Sequence, residues 1–298
     1  MHLRAALLLL TALLIALAPG RAHACAVCGA GDATLTVMGA ERPFAGRLRI
    51  SGELRAGSAR VAPAVGPAIE VSEQRLDLGV AYAPLPTLVL SLSLPLLRRE
   101  AGAPDRAAVT ALGLGDVELR AKHFIWDARK GQYRHQIALQ GGLKLPTAPV
   151  QRDAYGESLP ADLQPGAGAI TPALGAVYAL SNGPWSLYAS AAFYMPFAVR
   201  EGPHSSDSLR SSITGQRQLS SAVATRLGFS TRLDAAGERD GQPDPSSGGL
   251  MGFVSAELVL SPVTDWVILA GAYFPALQAL RGGHREGSIL ALGATWDY

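Results

Sequence analysis

From Gly46 to Ala56 the chain reads GRLRISGELRA, and polarity alternates at every step. Leu48, Ile50, Gly52, Leu54 and Ala56 fall on one side, with Arg47, Arg49, Ser51, Glu53 and Arg55 on the other. A period of two marks an extended strand, whose successive side chains point to opposite faces. The alternation returns in RLDLGVAY, where Leu76, Leu78, Val80 and Tyr82 oppose Arg75, Asp77, Gly79 and Ala81. TLVLSLSLPLL sets Leu88, Leu90, Leu92, Leu94 and Leu96 against Val89, Ser91, Ser93 and Pro95. DVELRAK sets Val117, Leu119 and Ala121 against Asp116, Glu118, Arg120 and Lys122.

A soluble sandwich also alternates, so length and the character of the two faces must decide. Soluble strands peak near about five or six residues, whereas a tilted membrane strand needs about nine to eleven. The segments here are of the longer kind. One face is almost purely Leu, Val, Ile and Ala, and the other carries too much Arg, Glu and Asp for a dry core. That inversion suits a cylinder with lipid outside and polar side chains inside, closed so that no backbone group is left unpaired. The expected fold class is all-β, a transmembrane antiparallel up-and-down β-barrel.

Strands are predicted at 46–57, 70–82, 87–97, 111–125, 133–146, 168–180, 185–198, 219–233, 249–261, 265–277 and 287–298. Single-chain bacterial barrels have even strand numbers, so this set lacks one. Short turns such as Pro84-Leu85-Pro86 and Ser181-Asn182-Gly183-Pro184 alternate with long loops at 99–110 and 147–167. Counting forward and backward keeps every long loop at one end only if another strand descends between 203 and 218, in the weakly patterned SLRSSITGQRQL. The expectation is therefore about twelve strands, with a narrow lumen.

Both ends of the chain bear on this reading. Residues 1–24 carry Arg4, an apolar run from Ala5 to Ala18, a Pro19-Gly20 break and Ala22-His23-Ala24, the layout of a secretory signal peptide. The apolar run is too short to span a bilayer as a helix. Cleavage after Ala24 leaves Cys25 first, and Ala22 in place of a leucine-like residue argues against acylation there. The closing ALGATWDY resembles the C-terminal assembly signal of bacterial outer-membrane barrels, with Gly293, Trp296 and Tyr298 matching and Ala291 replacing the usual polar first position. The resemblance implies the barrel-assembly machinery and outer-membrane lipid as partners, in a Gram-negative outer membrane. The expected layout is a signal peptide at 1–24, a periplasmic head at 25–45 and a barrel at 46–298.

Composition excludes more than it suggests. A net charge of +2 is too small to argue for nucleic acid. Two cysteines make no disulfide-stapled scaffold. Cys25 and Cys28 could chelate one soft ion such as Cu(I), close a small disulfide, or stay as thiols; two ligands are too few for structural zinc. Hydrolytic chemistry needs a nucleophile, a base and an orienting group. No G-x-S-x-G elbow occurs; His2 and His23 lie in the signal peptide, His123 and His135 flank a predicted turn, and His204 and His284 lie in predicted loops. No catalytic residue is assigned, and the chain is not expected to be an enzyme or to need a cofactor. The candidate lumen lining is Arg47, Arg49, Glu53, Arg55, Arg75, Asp77, Asp116, Glu118, Arg120, Lys122 and Lys144, all from the first five predicted strands. Strands between 168 and 198 offer mostly Ala173, Gly175, Val177, Ser186, Tyr188, Ser190 and Tyr194, so one charged wall faces a bland one.

GGLKLPT at 141–147 and LQPGAGAITPALGAVYAL at 163–180 resemble the outer-membrane transporter family named after the meta-cleavage pathway of phenol degradation. PSSGG at 245–249, AYFPALQALRG at 272–282 and the aromatic terminus are similar in kind, and Ala148 departs from the Gly such proteins often have after Pro-Thr. The resemblance spans 46–298 and implies a channel or transporter for small, hydrophobic or aromatic, solutes. The alternatives are a structural or adhesion barrel, a barrel with a metal-linked periplasmic head, and an outer-membrane hydrolase.

Overall fold

A computed structural model describes residues 42–61, 68–103, 106–152, 156, 158–159, 163–198, 206–239, 242–244 and 247–298. The expected signal peptide, Cys25 and Cys28 lie outside the described residues. The strands are β1 (Leu48–Val61), β2 (Ile69–Leu85), β3 (Leu88–Ala103), β4 (Arg106–Leu114), β5 (Glu118–Lys130), β6 (Tyr133–Lys144), β7 (Ala169–Asn182) and β8 (Trp185–Tyr194). There follow β9 (Phe197–Ala198), β10 (Ser208–Gln218), β11 (Val223–Asp234), β12 (Gly237–Arg239), β13 (Gln242–Asp244), β14 (Gly249–Leu260), β15 (Trp266–Leu280) and β16 (Arg285–Asp297).

Every pairing is antiparallel, and the wall runs β1, β2, β3, β4 with β5, β6, β7, β8, β10, β11, β14, β15, β16 and back to β1. With β4 and β5 sharing one position, this is a closed barrel of twelve strands. β9 extends the pairing of β7, while β12 and β13 form a separate hairpin. The weakly patterned stretch is β10, which pairs along its length with β8 and β11. Closure places the last residues on the first strand: Leu48 N–H donates to the Tyr298 carbonyl at 2.9 Å, and Tyr298 N–H returns to Leu48 O at 2.7 Å.

Two expectations change. The long loop expected at 99–110 is mostly strand, because β3 runs to Ala103 and β4 starts at Arg106. Arg98, Arg99 and Glu100 hid the alternation by making both faces polar. The single strand expected at 111–125 is two pieces, stacked end to end against β3 through Leu96↔Leu114 and Ser93↔Glu118. Gly115 sits at the break and donates its N–H to Pro95 O at 2.8 Å. A Cβ there would press on the side chains of Leu97 and Pro95, so only glycine lets the kink approach β3 so closely.

The outer face is apolar around the circumference. Leu78, Leu92, Leu119, Leu174, Ile213, Leu227, Val254 and Leu290 are all outward, between 43% (Leu119) and 69% (Leu227) exposed. A continuous apolar belt is far larger than the patches soluble monomers show to water, and it matches what lipid requires of a barrel. At the end with short turns stand Trp126 and Tyr178, each in ring contact with His135, Trp185 under Arg217, and Trp296 against Tyr298. They form the aromatic girdle of one membrane interface.

Candidate functional site: the barrel lumen

Alternation turns one side chain in two inward, and on most strands these are the polar ones. At the short-turn end Arg47 and Arg49 both reach Asp297. Further in, three carboxylates are held by an arginine two residues along the same strand: Glu53 by Arg55, Asp77 by Arg75 at 2.7 Å, and Glu118 by Arg120 at 2.8 Å. Residues two apart share a face, and the long guanidinium arm spans that step. Lys122 is almost fully buried, with its ammonium 5.3 Å from the centre of the Phe124 ring. Lys144 stands 3.8 Å from Asp116. Asp116, likewise buried, accepts from the backbone N–H of Ala148 at 3.1 Å and of Ala167 at 2.7 Å. All eleven expected lining residues thus stand on the inner side.

The bland wall is narrower than expected, and the charge does not stop at the fifth strand. Arg210, Arg226, Arg232, Asp234, Glu257, Glu286 and Asp297 also face inward. Arg226 bonds Gln216 at 2.7 Å and lies 3.8 Å from Glu257, which accepts from the Tyr273 hydroxyl at 2.8 Å. Among the described strands the adjoining faces of β7 and β8 lack charge, with Ala173, Val177, Ser186, Tyr188 and Ser190 inside, and so does β15, with Val267, Leu269 and Tyr273. The missed signal was present in ATRLGFSTRLD, where Arg226, Gly228, Ser230 and Arg232 oppose Leu227, Phe229, Thr231 and Leu233.

The inside is not polar throughout. Near the short-turn end Ala81, Ala83, Val89, Phe124, Ala138 and Val177 form an inward apolar cluster. At the other end Leu159 and Leu163, from the connection between β6 and β7, pack on Val61, Val71, Ala101 and Ala111. The described part of that connection is folded inward. Gln164 ties its ends together, donating to Gln151 O at 2.9 Å and Leu159 O at 2.8 Å, and accepting from Gln151 N–H at 2.8 Å. Arg99, only 2% exposed, bridges Glu73 at 2.6 Å and the Gln164 carbonyl. Below this infolded segment lies a cavity of about 140 Å³, walled by Arg75, Asp77, Glu118 and Arg120 on one side and Tyr194, Ser208 and Arg210 on the other.

A crystallised outer-membrane channel from Pseudomonas putida F1 superposes with a TM-score of 0.69 at 16% identity, covering 87% of this chain and 97% of that one. The chain has the fold of an outer-membrane β-barrel. The translocator domain of the autotransporter NalP from Neisseria meningitidis gives a TM-score of 0.49 at 11% identity, covering 88% of this chain and 92% of that one. The monoaromatic hydrocarbon channel CymD gives 0.44 at 9% identity, covering 90% and 94%. No protein-family model matches the chain. No curated protein matches it in sequence.

Proposed function

We propose that the chain is an outer-membrane channel for small solutes, a member of the transporter family that its sequence resembles, with hydrophobic or aromatic compounds as cargo. One observation carries the reading: a closed wall with an apolar exterior surrounds a charged interior that retains open volume. A soluble sandwich has no use for that inversion, since its apolar faces pack on each other. In this reading the short-turn end is periplasmic and the long-loop end extracellular. Residues 1–24 direct export, and Gly293, Trp296 and Tyr298 present the last strand to the barrel-assembly machinery. Arg47, Arg49, Glu53, Arg55, Arg75, Asp77, Asp116, Glu118, Arg120, Lys122 and Lys144 line the path. Cys25 and Cys28, just ahead of the first strand, are proposed to hold a soft ion such as Cu(I) at the periplasmic mouth.

Paired charges suit passage of a weakly polar solute. Each pair offers dipoles rather than a net field, so the lumen stays hydrated without strongly selecting against neutral molecules. Recording from the purified barrel in planar bilayers tests this. Steady conductance altered by Arg49→Ala or Glu118→Ala is the expected result. A silent bilayer, with unchanged uptake of aromatic solutes in cells lacking the protein, would favour a structural barrel, a reading the infolded segment suits.

A further inference from the structure

Arg210 and Arg232 are register partners on β10 and β11 and point into the lumen side by side. Like charges placed directly across a strand pair are unfavourable unless something compensates them. Arg232 has its compensation in Asp234 at 2.7 Å and Glu286 at 3.4 Å. Arg210 has none of that kind: among the described residues no carboxylate lies within ion-pair distance of it. Its guanidinium lies 4.5 Å from the centre of the Tyr194 ring, and its buried Nε has no hydrogen-bond partner. One inward position away on the same strand is Ser208, 5% exposed, whose Oγ is also without a partner. Both residues line the mid-lumen cavity. Buried polar atoms are nearly always satisfied, and here two adjacent donors without a partner stand in the wall of one cavity.

The three carboxylates of that cavity have nearer partners. Asp77 is taken by Arg75, Glu118 by Arg120, and Asp116 by two backbone N–H groups with Lys144 beyond. The charge left over is a single positive one, on Arg210. We infer that the cavity is a binding site for one small organic monocarboxylate, held by the Arg210 guanidinium and the Ser208 hydroxyl. The proposal rests on the reading of the barrel as a solute channel and names a substrate class for it.

The chemistry selects the carboxylate. A guanidinium offers a planar fork that matches two carboxylate oxygens, and charge-assisted bonds of this kind are among the stronger ones. Ser208 supplies a further donor. Pro95, Ala192, Pro196 and Phe253 give the same cavity an apolar side for the rest of the molecule. Its volume of about 140 Å³ is close to that of cavities that admit a single benzene ring. A second carboxylate on the solute would face Asp77 and Glu118, and a neutral solute would pass without engaging the Arg210 charge. The site therefore fits a monocarboxylate of one ring or a short chain, with benzoate as the natural probe.

The test is equilibrium dialysis of radiolabelled benzoate at neutral pH against the purified full-length barrel in detergent, with folding checked by heat-modifiable migration. Saturable binding at one site is expected, weakened at least tenfold by Arg210→Gln and several-fold by Ser208→Ala, and unchanged by Arg217→Gln, which alters an outward arginine. If Arg210→Gln does not fold, Arg210→Lys keeps the charge and removes the fork, and it too must weaken binding. Benzoate bound no better than benzyl alcohol, displaced equally by chloride, or held as tightly by the Arg210 variants would overturn the proposal. Dialysis needs no current, so a silent bilayer would remove the channel reading while leaving a measured carboxylate site in place.

Discussion

Arg49 and Asp297 face each other across the seam that closes the barrel, as register partners on β1 and β16 joined by two bonds of 2.7 Å. Arg47 shares the same carboxylate, so one aspartate holds two guanidiniums at the join between the first and last strands. The side chains are largely shielded, at 18%, 12% and 13% exposure for Arg47, Arg49 and Asp297. Asp297→Ala leaves both cations without their acceptor. Removing one partner of a buried pair is costly because the other charge remains, and a loss of about 3 kcal/mol is expected. The urea midpoint of the refolded barrel in detergent reads it; an unshifted midpoint would show that backbone pairing alone holds the seam.

The outer face makes its own demand. Leu78 lies outward in the middle of β2. Leu78→Arg puts a charge in the hydrocarbon layer, at a cost of about 2–4 kcal/mol at mid-membrane depth. Unfolding from lipid vesicles should shift by that amount, while the same substitution at outward Ser72, near the long-loop rim, should shift little. Equal shifts at both positions would contradict the membrane placement of the belt.

The infolded connection between β6 and β7 narrows the lumen. Gly166 packs so closely on Ala148 and the Asp116 carboxylate that an added Cβ would displace one of them. Gly166→Ala should loosen the segment and raise single-channel conductance. Leu163→Ala should act in the same direction by removing an anchor from the cluster of Val61, Val71, Ala101 and Ala111. Conductance unchanged in both variants would mean that the narrowest point lies elsewhere, with the apolar cluster around Phe124 as the next place to probe.

The proposed role of the cysteine pair is open to titration. The reduced mature protein should take up Cu(I) in competition with a soluble chelator, and Cys25→Ser combined with Cys28→Ser should abolish that uptake. Equal affinity in the double variant would sink the metal reading and leave a disulfide or free thiols.

The strand alternation predicted the facing, and strand length with the character of the two faces predicted a barrel. Leu48 to Ala56 and Leu76 to Tyr82 point to lipid because a two-residue period leaves a strand no other way to sort its side chains. The number twelve followed from loop lengths, and β10 filled the expected gap although its own pattern was weak. Its serines and glutamines suit either environment, so nothing local separated strand from loop. Arg98-Arg99-Glu100 misled in the opposite direction: beyond the lipid layer both faces of a strand can be polar, and the period disappears while the hydrogen bonding continues.

The sequence by itself determined which side chains face lipid and which face inward, because that choice depends only on period and polarity along one strand. Only the tertiary structure decided what the inward side chains meet. Asp116 answers backbone donors about thirty and fifty residues away in sequence, Arg99 holds the Gln164 carbonyl of the connection between β6 and β7, and Arg210 stands beside Arg232 without a carboxylate at ion-pair distance. Those relations arise from barrel closure and register, which bring together residues that no local pattern connects. They fix where the lumen is filled, where it is open, and where a charge is left unanswered.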